Sequence, residues 1–175
     1  MIRSLSKLSH PTKEDKRRPT TNHAMKEFNS IAVGIDYSPA SASALREASR
    51  IANWNDATLT CFHIFDEEIV EKFRSQDDFD EGAVSAEALE HLEKFVANEV
   101  GAGHSIDCEI AIGHPFKSVL STVSACKADL AVLGTRGRTG LQGFFAGTTA
   151  EKIIYKSPCS ALVVKPKGFE FKLKD

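Results

Sequence analysis

The densest cluster of chemically useful residues in this chain runs from Gly134 to Thr149. Glycines stand at 134, 137, 140, 143 and 147, with Arg136 and Arg138 among them and Thr148 and Thr149 closing the stretch. Ala131-Val132-Leu133 before it is a short apolar run that reads as a buried strand. Ala150, Ile153 and Ile154 after it recur at helical spacing. Strand, glycine loop, hydroxyl residues and helix start, in that order, describe a place to hold phosphate. Glycine lets the backbone turn at positive φ and approach a ligand closely. The first N–H groups of a helix have no partner within it, so an anion can take them. Charge-assisted hydrogen bonds of this kind are worth roughly 1.5–3 kcal/mol each.

Glycine count alone fits a surface loop equally well. The stretch is not a Walker A loop, since no Gly-Lys-Ser/Thr follows the glycines, and it does not match Gly-x-Gly-x-x-Gly. Arg136 and Arg138 fit phosphate partners and solvated loop charges equally. Leu141, Phe144 and Phe145 would be costly to expose and are expected to pack on the body or on a partner subunit. A second candidate is Asp36, which closes the apolar run Ile31-Ala32-Val33-Gly34-Ile35. It reads either as a turn or cap aspartate or as an acceptor for donor groups of a ligand. Gly34 and Ile35 would line the same wall. No catalytic set is legible: there is no Gly-x-Ser-x-Gly elbow, no His-x-x-x-His pair and no aspartate pair beside the loop. His63 reads as a strand-end histidine, and His91, His104 and His114 have no nucleophile at informative spacing.

The elements that must position these residues alternate. Strands are expected at Ser30 to Asp36, Ala57 to Phe65, Ser105 to Ile112, Leu130 to Gly134 and Ala161 to Lys165. The first helix starts at the N-cap Ser38 with Pro39 in its first turn and ends near 53–56. Further helices are expected at about Ser85 to Val100, from Pro115 to about Lys127, and at about Thr148 to Lys156. Asp66 to Glu81 is acidic and irregular and reads as a long connection with at most a helical turn. The alternation predicts a parallel sheet with helices on both faces and right-handed crossovers. Ligands in such sheets sit beyond the carboxyl ends of the strands, where the strand order reverses.

With 175 residues, the chain is long enough for one domain with a full core. Its 42% hydrophobic and 26% charged residues are ordinary for a soluble globular protein. A net charge of −2 provides no basic field for nucleic acid, so no specific nucleic-acid partner is expected. No apolar run is long enough to cross a membrane, no apolar leader is visible, and a cytoplasmic location is expected. Residues 1–27 are rich in Lys, Arg, Ser and Thr without an apolar period and read as a disordered tail; Arg and Ser also suit a transit segment, which Glu14 and Asp15 oppose. The expected organisation is this tail, one domain over 28–167 and a charged tail over 168–175. Cys61, Cys108, Cys126 and Cys159 are far apart and read as buried free thiols.

The spacing Gly134-x2-Gly137-x9-Gly147-Thr148 resembles the nucleotide-binding pattern of the universal stress protein family, in its ATP-binding subgroup. Asp129 to Gly134 is similar to that family's fourth strand, Ser157-Pro158-Cys159-Ser160 to Val164 to its last strand and the approach to it, and Ile31 to Asp36 with Ser38 to its first strand and turn. The likeness covers about residues 29 to 166. It implies an open Rossmann-like sheet of the adenine nucleotide alpha hydrolase type, with strand order 3-2-1-4-5. It implies ATP (or ADP or AMP), with magnesium arriving on the phosphates, in a cleft between strands one and four. On this resemblance Asp36 serves the nucleoside, Ile64 touches adenine, and Leu133 offers backbone near the base. Gly134, Gly137, Gly147, Thr148 and Thr149 form the phosphate and ribose set, with Arg136 a candidate phosphate partner or a solvated loop charge. The resemblance further implies a stress-response or signalling module with an unknown partner, slow or absent ATP hydrolysis, and a homodimer formed through the last strand, 161–165. Ser160 departs from the family, where proline is frequent. An enzyme of the same fold and a structural dimer with an unused site are the competing readings.

Overall fold

The structure, a computed structural model, describes residues 28–76, 78–101, 105–135 and 148–168. The elements run β1 (Ser30–Gly34), α1 (Pro39–Asn55), β2 (Thr58–Asp66), α2 (Glu67–Arg74), α3 (Glu81–Val100), β3 (Ile106–Gly113), α4 (Pro115–Ala125), β4 (Leu130–Gly134), α5 (Thr148–Lys156) and β5 (Ser160–Val164). The five strands form one parallel sheet of order β3-β2-β1-β4-β5. That is the order and the α/β architecture expected from the sequence.

Continuous apolar runs make the central strands. Ile31, Ala32 and Val33 of β1 and Val132 of β4 are fully buried, as strands covered on both faces must be. Side chains alternate between the faces. Ile31, Val33, Ile35, Cys61 and Val132 join Leu45 and Ala48 of α1 and Leu92 and Val96 of α3 in one core cluster. Ala32, Phe62, Ala131 and Leu133 join Val119 and Val123 of α4 and Ile153 of α5 in the other. The sheet thus has an α1/α3 face and an α4/α5 face. Alanines at 40, 44, 48 and 52 keep the buried side of α1 small, so its backbone lies close to the sheet.

Several boundaries differ from the sequence reading. The stretch 66–81 is irregular only in part: the described residues between 75 and 80 form turns and coil, while Glu67–Arg74 is a helix. Its side-chain charges concealed the period. Asp66 caps it by accepting from Glu68 N, Glu67 and Glu68 sit at its positive end, and Lys72 and Arg74 at its negative end. Only Val70 is buried, so no apolar stripe announces it. The following helix starts at Glu81, where the Asp80 side chain caps Ala83 N. The first strand ends at Gly34, although Ile35 N still bonds Phe62 O at 2.8 Å. The last strand is Ser160–Val164. The cysteines are free thiols, but only Cys61 is buried and the other three are half-buried.

Candidate functional site

Chain order steps from β1 outward to β2 and β3, then crosses to β4 and β5 on the other side. The order therefore reverses between β1 and β4, whose registered pairs include Ile31–Leu130 and Val33–Val132. Such a reversal splays the following connections apart and leaves a crevice at the carboxyl ends. The β1 end carries Gly34, Ile35 and Asp36, and the β4 end carries Leu133, Gly134 and Thr135. The first turn of α1 closes the floor. A Cβ on Gly134 would lie 2.8 Å from both the Ala40 carbonyl carbon and Ser41 N, so only glycine allows β4 this close to the α1 backbone. A Cβ on Gly34 would lie 2.8 Å from Leu133 Cδ2.

The turn after β1 is held by side chains that close on the backbone. Ser38 N donates to Asp36 Oδ1 at 3.0 Å, Ser41 N to Ser38 Oγ at 3.1 Å, and Ser41 Oγ to the Ser38 carbonyl at 3.0 Å. Asp36 N donates to Ser41 Oγ at 3.3 Å. The Asp36 carboxylate therefore serves the turn. On the β4 side, Thr135 N continues the ladder to Val164 O at 2.9 Å. The Thr135 hydroxyl is buried with no hydrogen-bond partner among the described residues. Buried hydroxyls are normally satisfied, and leaving one unmade costs about 1–3 kcal/mol. By strand alternation Thr135 falls on the α4/α5 face with Leu133.

The structure brings Gly34, Asp36, Leu133 and Gly134 together at the carboxyl ends of β1 and β4. Ile64 is half-buried against the α4/α5 cluster that holds Leu133. Ile35 behaves differently: it is 3% exposed and belongs to the α1/α3 core, so its side chain is structural. Thr148 opens α5, and Thr149 follows it, half-buried. Arg136, Gly137 and Gly147, with Arg138, Leu141, Phe144 and Phe145, lie outside the described residues. Sequence reasoning missed Thr135, the first hydroxyl after the strand, and Tyr37, whose φ is +62°. An aromatic residue rarely takes this left-handed conformation, which costs about 1–2 kcal/mol.

On the opposite face, the α3 side, Tyr37, His63, Phe65, Val84, Glu87 and His91 line an open cleft of about 440 Å³. Burial, and then the nearby Cys108, push the Tyr37 phenol up from its ordinary value. Cys61 and Cys108 are directly paired across β2 and β3. Burial raises both thiols, and Cys108, also beside Glu93 and Asp107, is pushed up to about 11. Both are protonated at neutral pH, so neither suits a thiolate nucleophile. Among the described residues no group of three His, Cys, Asp or Glu could hold a metal ion, and no helix is long and apolar enough to cross a membrane.

Comparison with known proteins agrees with this architecture. The Universal stress protein family matches residues 27–165, and the chain belongs to that family. A universal stress protein of Methanocaldococcus jannaschii is 29% identical over 140 residues, which cover 79% of this chain and 82% of that one. The solved structure of hypothetical protein MJ0577 superposes with a TM-score of 0.70 at 22% identity, covering 82% of this chain and 99% of that one. Two further structures share the fold and were solved with nucleotides. A universal stress protein in complex with cAMP has a TM-score of 0.61 at 19% identity, over 81% of this chain and 99% of that one. One from Archaeoglobus fulgidus in complex with dAMP has a TM-score of 0.56 at 18% identity, over 78% and 98%.

Proposed function

We propose that this chain is an adenine-nucleotide-binding module, with ATP as its first ligand, and that its site is the crevice between β1 and β4. The observation that carries the reading is the buried, unpartnered Thr135 hydroxyl at the mouth of a crevice whose floor only glycine can form. The Gly134-x2-Gly137-x9-Gly147-Thr148 spacing supports it, as do the nucleotides bound by two proteins of the same fold.

In this reading Asp36 accepts from the nucleoside, and Ile64 and Leu133 flank the base. Gly134, Arg136, Gly137, Gly147, Thr148 and Thr149 meet ribose and phosphates through backbone N–H groups and hydroxyls. Magnesium, when present, arrives on the phosphates and needs few protein ligands. Hydrolysis needs an oriented water and charge stabilisation in the transition state. The only amide side chain in the glycine stretch is Gln142, and no carboxylate stands there. Tight binding with slow or absent turnover follows, which suits a cytoplasmic stress or signalling switch read by a partner through its nucleotide state. The domain is residues 28–167, with tails at 1–27 and 168–175.

The reading includes a homodimer through β5. The two sheet edges differ: β3 carries Asp107 and Glu109, whereas β5 carries Ser160-Ala161-Leu162-Val163-Val164 without a charge. Charges on an edge deter strand addition, and an apolar edge invites it. Ile154 and Tyr155, on the helix packed against β5, are exposed beside it. Val163→Pro removes a donor from that edge and is expected to yield monomers in sedimentation; a wild type that sediments as a monomer at tens of micromolar (about the range where contacts of low-micromolar affinity form) would contradict the dimer. The nucleotide itself is tested by mass spectrometry of ligand released from the native protein. ATP or ADP in near-stoichiometric amount is the expected result, and its replacement by a ligand without adenine would contradict the reading.

A further inference from the structure

Among the described residues, three non-glycine residues have positive φ: Tyr37, Asp56 and Lys127. Asp56 and Lys127 follow α1 and α4, where a left-handed residue is an ordinary way to leave a helix. Tyr37 has no such excuse. It precedes a helix, it is aromatic, and it directly follows Asp36. Strain of this kind persists only where the surroundings over-determine it.

The surroundings here are rings. Tyr37 packs against His63 with centroids 4.9 Å apart, against His91 at 4.6 Å, and edge-on against Phe95 at 5.2 Å. His91 and Phe95 are one turn apart on α3, so they present one surface to the tyrosine. His63 comes from β2 and meets Phe65 edge-on at 4.9 Å. His63 Nδ1 lies 2.7 Å from the Ile35 carbonyl. A carbonyl only accepts, so Nδ1 carries the proton and donates it. The residues on both sides of Asp36 are therefore tied to this cluster, Ile35 through its carbonyl and Tyr37 through its ring. Asp36 itself is tied forward, to Ser38 N and Ser41 Oγ. Returning residue 37 to negative φ would swing its ring out of contact with both β2 and α3.

We propose that Tyr37 is a positioning residue of the nucleotide site: clamped by His63, His91 and Phe95, its ring holds the left-handed turn that presents Asp36 to the nucleoside. The inference rests on the nucleotide reading above and extends it. It makes α3, on the other face of the sheet, a support of the nucleoside end alone. The phosphate end, which in that reading starts at β4, takes no support from the elements that clamp the ring, since His63 comes from β2 and His91 and Phe95 from α3.

The test compares adenosine, ATP and inorganic tripolyphosphate by calorimetry on nucleotide-stripped protein, alongside the backbone amide shifts of Asp36 and Ser38. Tyr37→Phe keeps the ring and is expected to bind all three within about twofold of wild type. Tyr37→Ala is expected to lose about tenfold or more in affinity for adenosine and for ATP by the same factor, with tripolyphosphate unchanged and both amides shifted. His91→Leu, on α3, gives a smaller loss of the same pattern and serves if Tyr37→Ala fails to fold. Equal weakening of all three ligands would mean general damage to the fold and overturn the positioning role. So would a Tyr37→Ala protein with wild-type adenosine affinity. A wild type that binds neither adenosine nor ATP would overturn the nucleotide reading instead, and unmoved amides in Tyr37→Ala would then reject the clamp on its own terms.

Discussion

The two ends of the β1/β4 pair are built on opposite rules. At the amino ends, side chains close the ladder onto itself. The Asp129 carboxylate accepts from Asn29 N at 2.8 Å and from Ser30 N at 3.2 Å, Asp129 N returns a bond to Ser30 O at 2.9 Å, and Ser30 Oγ donates to the Cys126 carbonyl at 3.0 Å. At the carboxyl ends the strands stop at glycines, one tyrosine is held at positive φ, and one buried hydroxyl is left without a partner. The amino end puts its polar groups into stability. The carboxyl end tolerates strain and an unmade bond, features that support the ligand site proposed there.

Three substitutions test the difference between the two ends. The largest effect is expected at the carboxyl end. Gly147→Val would place a β-branched side chain where the proposed function has phosphate meet backbone N–H groups, and ATP affinity is expected to fall by about a hundredfold or more, roughly 3 kcal/mol, with the fold retained. Calorimetry with ATP, paired with circular dichroism, reads both halves of that statement. Next comes the amino end. Asp129→Ala removes a charged acceptor from two backbone donors and is expected to lower unfolding stability by about 2–3 kcal/mol in urea, without changing ATP affinity. A loss of ATP binding equal to that of Gly147→Val in the still-folded variant would erase the distinction between the ends. The smallest effect separates ligand from fold at one atom. Thr135→Val deletes the unpartnered hydroxyl, so the nucleotide-free protein is expected to gain about 1 kcal/mol while ATP binding weakens several-fold. A variant that is destabilised without ATP would show that the hydroxyl is satisfied in the free protein.

The sheet was legible because its central strands are uninterrupted apolar runs and its helices carry caps. Ser38-Pro39 marks the start of α1, and Pro115 the start of α4. The order 3-2-1-4-5 came from the family resemblance, since periodicity alone cannot rank parallel strands. The helix Glu67–Arg74 was hidden because charges make most of its surface and one residue is buried. At the site, Gly34, Asp36, Leu133 and Gly134 could be read as the ends of apolar runs. Ile35 was read as lining, but its alternation sends the side chain to the α1/α3 core. Tyr37 and Thr135 left no sequence signal. The positive φ on tyrosine depends on β2 and α3 closing around its ring, and the unpartnered hydroxyl on burial at the end of β4.

In the proposed function ATP occupies the β1/β4 crevice and stays there largely unhydrolysed. The most direct measurement is a single-turnover experiment with labelled ATP and magnesium on nucleotide-stripped protein, following bound label and released phosphate together. Saturable binding of one ATP per chain, lost in Gly147→Val, is expected, with hydrolysis far below the roughly 1–10³ s⁻¹ typical of enzymes. No saturable binding at millimolar ATP would contradict the site. A rate above about one per second, abolished by Gln142→Ala, would contradict the switch and make this chain an enzyme.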